Sequence, residues 1–117
     1  MSTSTQSVVE RFMTTFERNL ADVADLMTPE ALWELNGEAQ TQTAAAFVER
    51  QQADLATGTA STDVECWIID GQQAAWIGWT TFTPHHDGEP MRIAMSEWFT
   101  ITDGRISRIH DIMAMPG

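Results

Sequence analysis

The chain has 117 residues, and 17 acidic against 6 basic side chains give it a formal charge of −11. That length holds one hydrophobic core and not two, and that charge argues against nucleic acid or an anionic membrane surface as partner, since both demand concentrated Lys and Arg. The lone Cys66 excludes an internal disulfide and, set in a hydrophobic run, reads as a small buried side chain rather than a nucleophile.

No apolar run approaches the length of a membrane span, and the opening MSTSTQS lacks the basic and hydrophobic regions of a signal peptide. A cytoplasmic protein with one domain, residues 1–117, is expected. Residues 1–6 are polar and expected to fray. Ser7 and Glu10 fit a capping box, with Ser7 as N-cap. Beyond it Val8, Phe12, Phe16 and Leu20 recur every four residues, the core face of an amphipathic helix. Asn19 or Asp22 opens a short second helix to Met27, which Thr28-Pro29-Glu30 ends. Residues 31–37 read as a short strand closed by Gly37. Thr43 caps a third helix over residues 44–55, with Phe47, Val48, Gln51 and Leu55 facing inward. Residues 56–61 are linker-like but too few to divide domains.

The remainder is strand after strand. Residues 63–69 turn at Asp70-Gly71 into 72–83, and the loop from Pro84 to Pro90 leads into two further strands around Asp103-Gly104. Asp-Gly between alternating segments marks a two-residue hairpin, because both turn positions want positive φ. Pairing Thr102 with Arg105 sets Ser96 opposite Asp111, Glu97 opposite His110 and Trp98 opposite Ile109. Pairing Thr83 with Met91 sets Gly78 opposite Ser96, Trp76 opposite Trp98 and Thr80 opposite Ala94. Opposed residues share a face. One face thus gathers Trp76, Gly78, Thr80, Ser96, Trp98, Ile109, Asp111 and Met113, and the other Ile77, Trp79, Ile93, Met95, Phe99 and Ile112. Helices followed by a long meander indicate α+β: about three N-terminal helices packed on the concave face of a cone-shaped, curved antiparallel sheet. The helices cover one apolar face only, so the other is expected to meet a second copy of the chain, as a homodimer.

This order of elements, with the closing FTITDGRISRIHD, resembles the nuclear-transport-factor-2-like superfamily and within it the SnoaL-like polyketide cyclase group, with limonene epoxide hydrolase and ketosteroid isomerase as cousins. The resemblance implies that Asp111 matches the last-strand aspartate that serves those cyclases and hydrolases as general base. Trp33 and Leu35 fall where the hydrolases carry a water-binding Tyr and Asn, and Gly78 and Thr80 where they carry an Arg and a second Asp. Ser96 falls where the isomerases carry a protonated Asp, and Leu35 near their general base. Only Asp111 retains its chemistry, so neither the hydrolase triad nor the known steroid isomerisation is implied.

An aspartate among Trp, Ile and Met side chains is desolvated, and desolvation raises its pKa and strengthens it as a base. With Asp111 as catalytic group, Ser96 and the indole N–H groups of Trp33, Trp76 or Trp98 would polarise a carbonyl, while Leu35, Gly78, Thr80, Ile109 and Met113 complete a pocket for a hydrophobic small molecule. The expected activity is cyclase- or isomerase-type acid–base chemistry without cofactor. A non-catalytic ligand-binding or dimerisation module is the alternative, and a hydrolase in which Asp111 activates water is a third. The bland reading of Asp111 is a side chain that pairs with Ser96, Thr80 or a basic side chain and only fixes the register. His110 points away from Asp111 and is expected in a polar cluster with Glu97 and Arg108. His85 and His86 diverge within a Gly/Pro loop and have no third ligand nearby, so no metal is expected. No phosphate-binding glycine loop or nucleophile elbow is present, and no nucleotide cofactor is indicated.

Overall fold

In the computed structural model, residues 4–114 are described, and the first and last three residues lie outside them. Helix α1 spans Thr5–Arg18, a 3₁₀ turn Leu20–Leu26, and helix α2 Ala44–Asp54; the strands are β1 Met27–Leu35, β2 Glu38–Thr41, β3 Gly58–Asp70, β4 Gln73–Pro84, β5 Met91–Thr102 and β6 Arg105–Met113. The sheet runs β2-β1-β6-β5-β4-β3. It is curved and unclosed, and the helices pack on its concave face, as the pattern of elements predicts. Among the described residues no helix is long and apolar enough to cross a membrane.

The first helix begins a turn earlier than the capping box suggests. Ser4, not Ser7, is the N-cap, its side chain accepting from the Ser7 N–H at 3.0 Å. The Thr5 hydroxyl ties this first turn to the β3–β4 turn by donating to the Gly71 carbonyl at 2.6 Å, a tertiary bond that no local pattern announces. Thr43 caps α2 as expected, accepting from the Ala46 N–H at 3.0 Å. Between them the chain departs from expectation: β1 starts already at Met27 and includes Pro29. Pairing with β6 lapses between Met27 and Leu32, as it must where Pro offers no N–H. Asn36 and Gly37, both at positive φ, then turn the chain back into β2, a strand the sequence reading missed. The supposed linker 56–61 is strand over its last four residues, since β3 starts at Gly58.

Both hairpin registers differ from expectation by one residue. At β4–β5 the partners are Phe82 with Met91, Thr80 with Ile93, Gly78 with Met95 and Trp76 with Glu97. At β5–β6, Thr102 does pair with Arg105 across a turn in which Asp103 and Gly104 both take positive φ. A bulge then follows. Ile101 pairs with Ile106 but Thr100 with Arg108, so Ser107 is the extra residue. Its hydroxyl fills the gap, donating to the Thr100 carbonyl at 3.2 Å and bonding the Thr102 hydroxyl at 2.8 Å. The bulge keeps both Ile106 and Ile109 wholly buried, which a regular strand could not do for two residues three apart.

A one-residue slip turns a strand's side chains to the other face. The two slips cancel for β4 and β6, and the whole error falls on β5. Ser96 and Trp98 therefore lie on the outer face, while Ile93, Met95, Glu97 and Phe99 point inward. Phe99 packs edge-on against Phe12 of α1 at 5.7 Å between centroids, and Phe12 against Phe47 of α2 at 6.1 Å. These contacts seat both helices on the sheet. Cys66, expected to be buried, is exposed, because a bulge in β3 between Val64 and Cys66 sends it outward opposite Ile77. Gly78 faces that bulge, and a Cβ there would collide with the Asp63 carbonyl.

Candidate functional site

One row of side chains crosses the concave face. Leu35 of β1 pairs with Asp111 of β6, Asp111 with Glu97 of β5, Glu97 with Trp76 of β4 and Trp76 with Trp67 of β3. Two carboxyl groups thus stand side by side in the middle of the sheet, flanked by indoles. The backbone at Asp111 is pinned from the β1–β2 turn: the Asn36 N–H donates to its carbonyl at 2.8 Å, and the Asn36 side chain accepts from the Met113 N–H at 2.9 Å.

Asp111 is 6 % exposed, the one buried charged residue among those described. Its Oδ2 accepts from the Trp33 indole N–H at 2.9 Å. Its Oδ1 accepts from no N–H or neutral hydroxyl among the described residues, and the Glu97 carboxyl is its partner when that group carries a proton. Glu97 is half-buried by overall exposure, with its carboxyl at the deep end; Oε1 accepts from the Trp76 indole N–H at 2.9 Å. Burial pushes the Glu97 carboxyl well above its ordinary range, and the Asp111 charge pushes it further, against the pull of the Trp76 bond. Burial raises Asp111 too, while the bonds from Glu97 and Trp33 and the His110 imidazole hold it down. Two desolvated carboxyls in contact cannot both ionise cheaply, so the pair shares one proton, with Glu97 the stronger holder.

Above this pair opens a cavity of about 320 Å³, near the small end for ligand sites. Phe12, Phe16, Trp33, Phe47, Trp76 and Phe82 supply aromatic wall, Leu35, Ile93, Met95 and Met113 aliphatic wall, and Thr62 and Thr80 a little polarity. At the mouth sit Glu17, Arg50 and Asp54. The Arg50 guanidinium lies 5.6 Å from the Trp33 ring and its Nε bonds Asp54 at 3.2 Å.

Of the residues the sequence singled out, Trp33, Leu35, Trp76, Thr80, Asp111 and Met113 line this cavity together. Ile109 faces the same way but lies wholly buried beneath it. Gly78 occupies the row between Thr80 and Trp76, where its role is the close backbone approach to β3. Ser96 and Trp98 are corrected to the outer face, Trp98 donating there to Gln73 at 2.8 Å. The hydroxyl expected opposite Asp111 is replaced by Glu97. The indoles of Trp33 and Trp76 donate as expected, but to the two carboxylates. His110 points outward, as expected, yet faces Trp98 rather than Glu97 and accepts from the Gly37 N–H at 3.1 Å. Arg108 beside it bonds Glu34 at 2.6 Å and holds that carboxyl below its ordinary value. The His85 and His86 rings stand 6.5 Å apart, nearly perpendicular, and no group of three metal-ligating side chains occurs among the described residues.

The family model for the SnoaL-like domain matches residues 9–109. None of the curated proteins matches the sequence. Among solved structures, a protein of Shewanella putrefaciens described as a SnoaL-like polyketide cyclase aligns at 9 % identity and TM-score 0.84, over 97 % of this chain and 91 % of that one. An LEH-like epoxide hydrolase of M. tuberculosis aligns at 13 % identity and TM-score 0.82, over 94 % and 82 %. TerC, co-crystallised with polyporic acid, aligns at 17 % identity and TM-score 0.78, over 94 % and 91 %. At these identities the likeness is one of fold.

Proposed function

The chain belongs to the SnoaL-like domain family, and we propose that it is a cofactor-independent acid–base enzyme that acts on a hydrophobic carbonyl compound, with Asp111 as base and Glu97 as acid. The observation that carries this reading is the placement of the two carboxyls side by side at the floor of an aromatic cavity, where burial raises both. The isomerases of the wider superfamily carry a protonated carboxylic acid on the corresponding strand, and in the true register the inward carboxyl of β5 is Glu97.

With the substrate carbonyl toward Glu97 and an adjacent C–H toward the Asp111 carboxylate, the carboxylate takes the carbon-bound proton as the Glu97 proton moves onto the oxygen. The product is an enol. In an isomerisation the Asp111 proton returns to a different carbon and Glu97 recovers its own. In a ring closure the enol carbon bonds a second carbonyl carbon of the same molecule, whose oxygen takes the proton from Asp111, while the enol O–H gives its proton back to Glu97 as the first carbonyl reforms. Trp33 and Trp76 hold the two carboxyls in place and compensate part of their desolvation. TerC, of the same fold, holds polyporic acid, which supports a small organic ligand in this cavity.

The same acid and base would serve a hydrolase, with Asp111 activating water and Glu97 protonating the leaving oxygen. A non-catalytic binding module is favoured by one observation: both indole donors of the floor are spent on carboxylates. The deciding experiment follows exchange of the carbonyl-adjacent protons of a panel of aromatic ketones in deuterated water. Exchange that wild type accelerates and Asp111→Asn does not supports enolisation. Incorporation of labelled water oxygen points to hydrolysis, and binding without either outcome to the binding module. A homodimer through the outer sheet face completes the proposal.

A further inference from the structure

The electrostatics of the cavity are one-sided. Of its charged lining residues, Glu17, Asp54, Glu97 and Asp111 are acidic and Arg50 alone is basic, and Arg50 is engaged with Asp54 at the mouth. At the floor, the buried Asp111 has an oxygen, Oδ1, that no N–H or neutral hydroxyl reaches among the described residues. The wall between floor and mouth is aromatic on several sides. A carboxylate removed from water is ordinarily matched by a cation, and the faces of aromatic rings attract cations as well. The net charge of −11 draws cations from a distance.

We infer that the cavity is a binding site for a hydrophobic amine, taken up as its ammonium ion between the Glu97–Asp111 carboxyl pair and the aromatic lining that includes Trp76 and Phe47. The ammonium supplies the positive charge that the floor lacks, and its N–H bonds the carboxyl pair from the side of Glu97, which lines the cavity beside Asp111. Its hydrocarbon body fills the apolar wall. The inference goes beyond the acid–base reading and does not rest on it, since it concerns charge and shape alone and holds equally for a protein that performs no chemistry.

The test compares N,N-dimethylbenzylamine with isobutylbenzene, which replaces the nitrogen by carbon at the same shape, each titrated calorimetrically into the intact protein at neutral pH. The amine is expected to bind about tenfold tighter or more, the scale of a desolvated cation over aromatic faces. The double variant Glu97→Gln/Asp111→Asn removes both carboxyls from the floor at constant volume, and should bring the amine down to the affinity of isobutylbenzene. Wild type offers an independent check should that variant fold poorly: lowering pH until the pair is fully protonated should weaken the amine and leave isobutylbenzene unchanged. Glu17 and Asp54 are the other carboxyl groups that line the cavity, so the double variant of Glu17→Gln and Asp54→Asn should retain this pH dependence. Equal affinity for the two probes, no binding of the amine at millimolar concentration, or loss of the pH dependence with the mouth carboxyls overturns the inference.

Discussion

Glu97 and Asp111 face each other across β5 and β6, each held by an indole N–H at 2.9 Å, and among the described residues neither accepts from a cationic side chain. A site of this kind is costly to the fold. Both carboxyls have their folded pKa raised, first by burial. A raised carboxyl contributes no penalty below its unfolded pKa, and loses stability for the fold as pH climbs from there to the folded pKa.

Glu97→Gln should therefore stabilise the protein at neutral pH. The Gln amide donates to Asp111 Oδ1 without needing a proton, and its carbonyl accepts from Trp76. The gain should be on the order of 1 kcal/mol, or about 4–8 °C in melting temperature for a domain of this size. It should vanish near pH 4, where the unfolded carboxyl is protonated too. A variant that melts below wild type at pH 7 would show that the carboxyl pair is not the strained element described here.

The pH profile of turnover tests the division of roles. Asp111 must be ionised and Glu97 protonated, so the rate should be bell-shaped, its limbs reporting the two ionisations of the pair. Asp111→Asn should abolish turnover, at a loss of roughly 10²-fold or more. Glu97→Gln should keep the acid limb and lose the alkaline one, because the amide cannot ionise. An alkaline limb that survives in Glu97→Gln belongs to another group and removes Glu97 from its role as acid.

Much of this site was legible in the sequence, and the part that was not lies where the register is set by more than local pattern. Period-two alternation and the Asp103-Gly104 turn are local signals, and they placed Asp111 on one face with Trp76 and Thr80, while Trp33 and Leu35 joined it only through the family resemblance. A bulge is not a local signal. Ser107 is an ordinary strand residue by composition, and it becomes the inserted one because Ile106 and Ile109 both find space in the core. That choice belongs to tertiary packing, and it decides whether Ser96 or Glu97 meets Asp111. The second slip arose in the Pro84–Pro90 loop, whose length does not define a turn type. β2 escaped notice for a related reason: four residues at a sheet edge, EAQT, carry no apolar face to read.

Gly78 offers a test of the β3 bulge that supports the neighbouring wall. A Cβ at this position meets the Asp63 carbonyl and Val64 backbone, neither of which can rotate aside. Gly78→Ala should cost about 3 kcal/mol, the upper range for overpacking. Denaturant unfolding measures it directly. A loss below about 0.5 kcal/mol, the scale of an ordinary surface change, would mean that β3 yields easily and that the bulge is not fixed by this contact.

The outer face yields the last prediction. Ile77, Ser96 and Ile112 form one cross-strand row there, with Ile77 45 % and Ile112 49 % exposed and Trp79 alongside. Met95, Ile93 and Phe99, which sequence patterning assigned to this patch, face the cavity and core instead. Exposed side chains of this size in a contiguous row mark an association surface more often than a solvated one. A two-fold contact would bury each twice. Wild type is expected to sediment as a dimer at micromolar concentration. Ile77→Glu or Ile112→Glu should shift it to monomer, because each places two unpaired charges in the same interface. Neither change touches the cavity, so N,N-dimethylbenzylamine should still bind to the monomer. A wild-type chain that is monomeric at micromolar concentration refutes the dimer, and loss of amine binding in a folded Ile112→Glu monomer would show that association shapes the cavity itself.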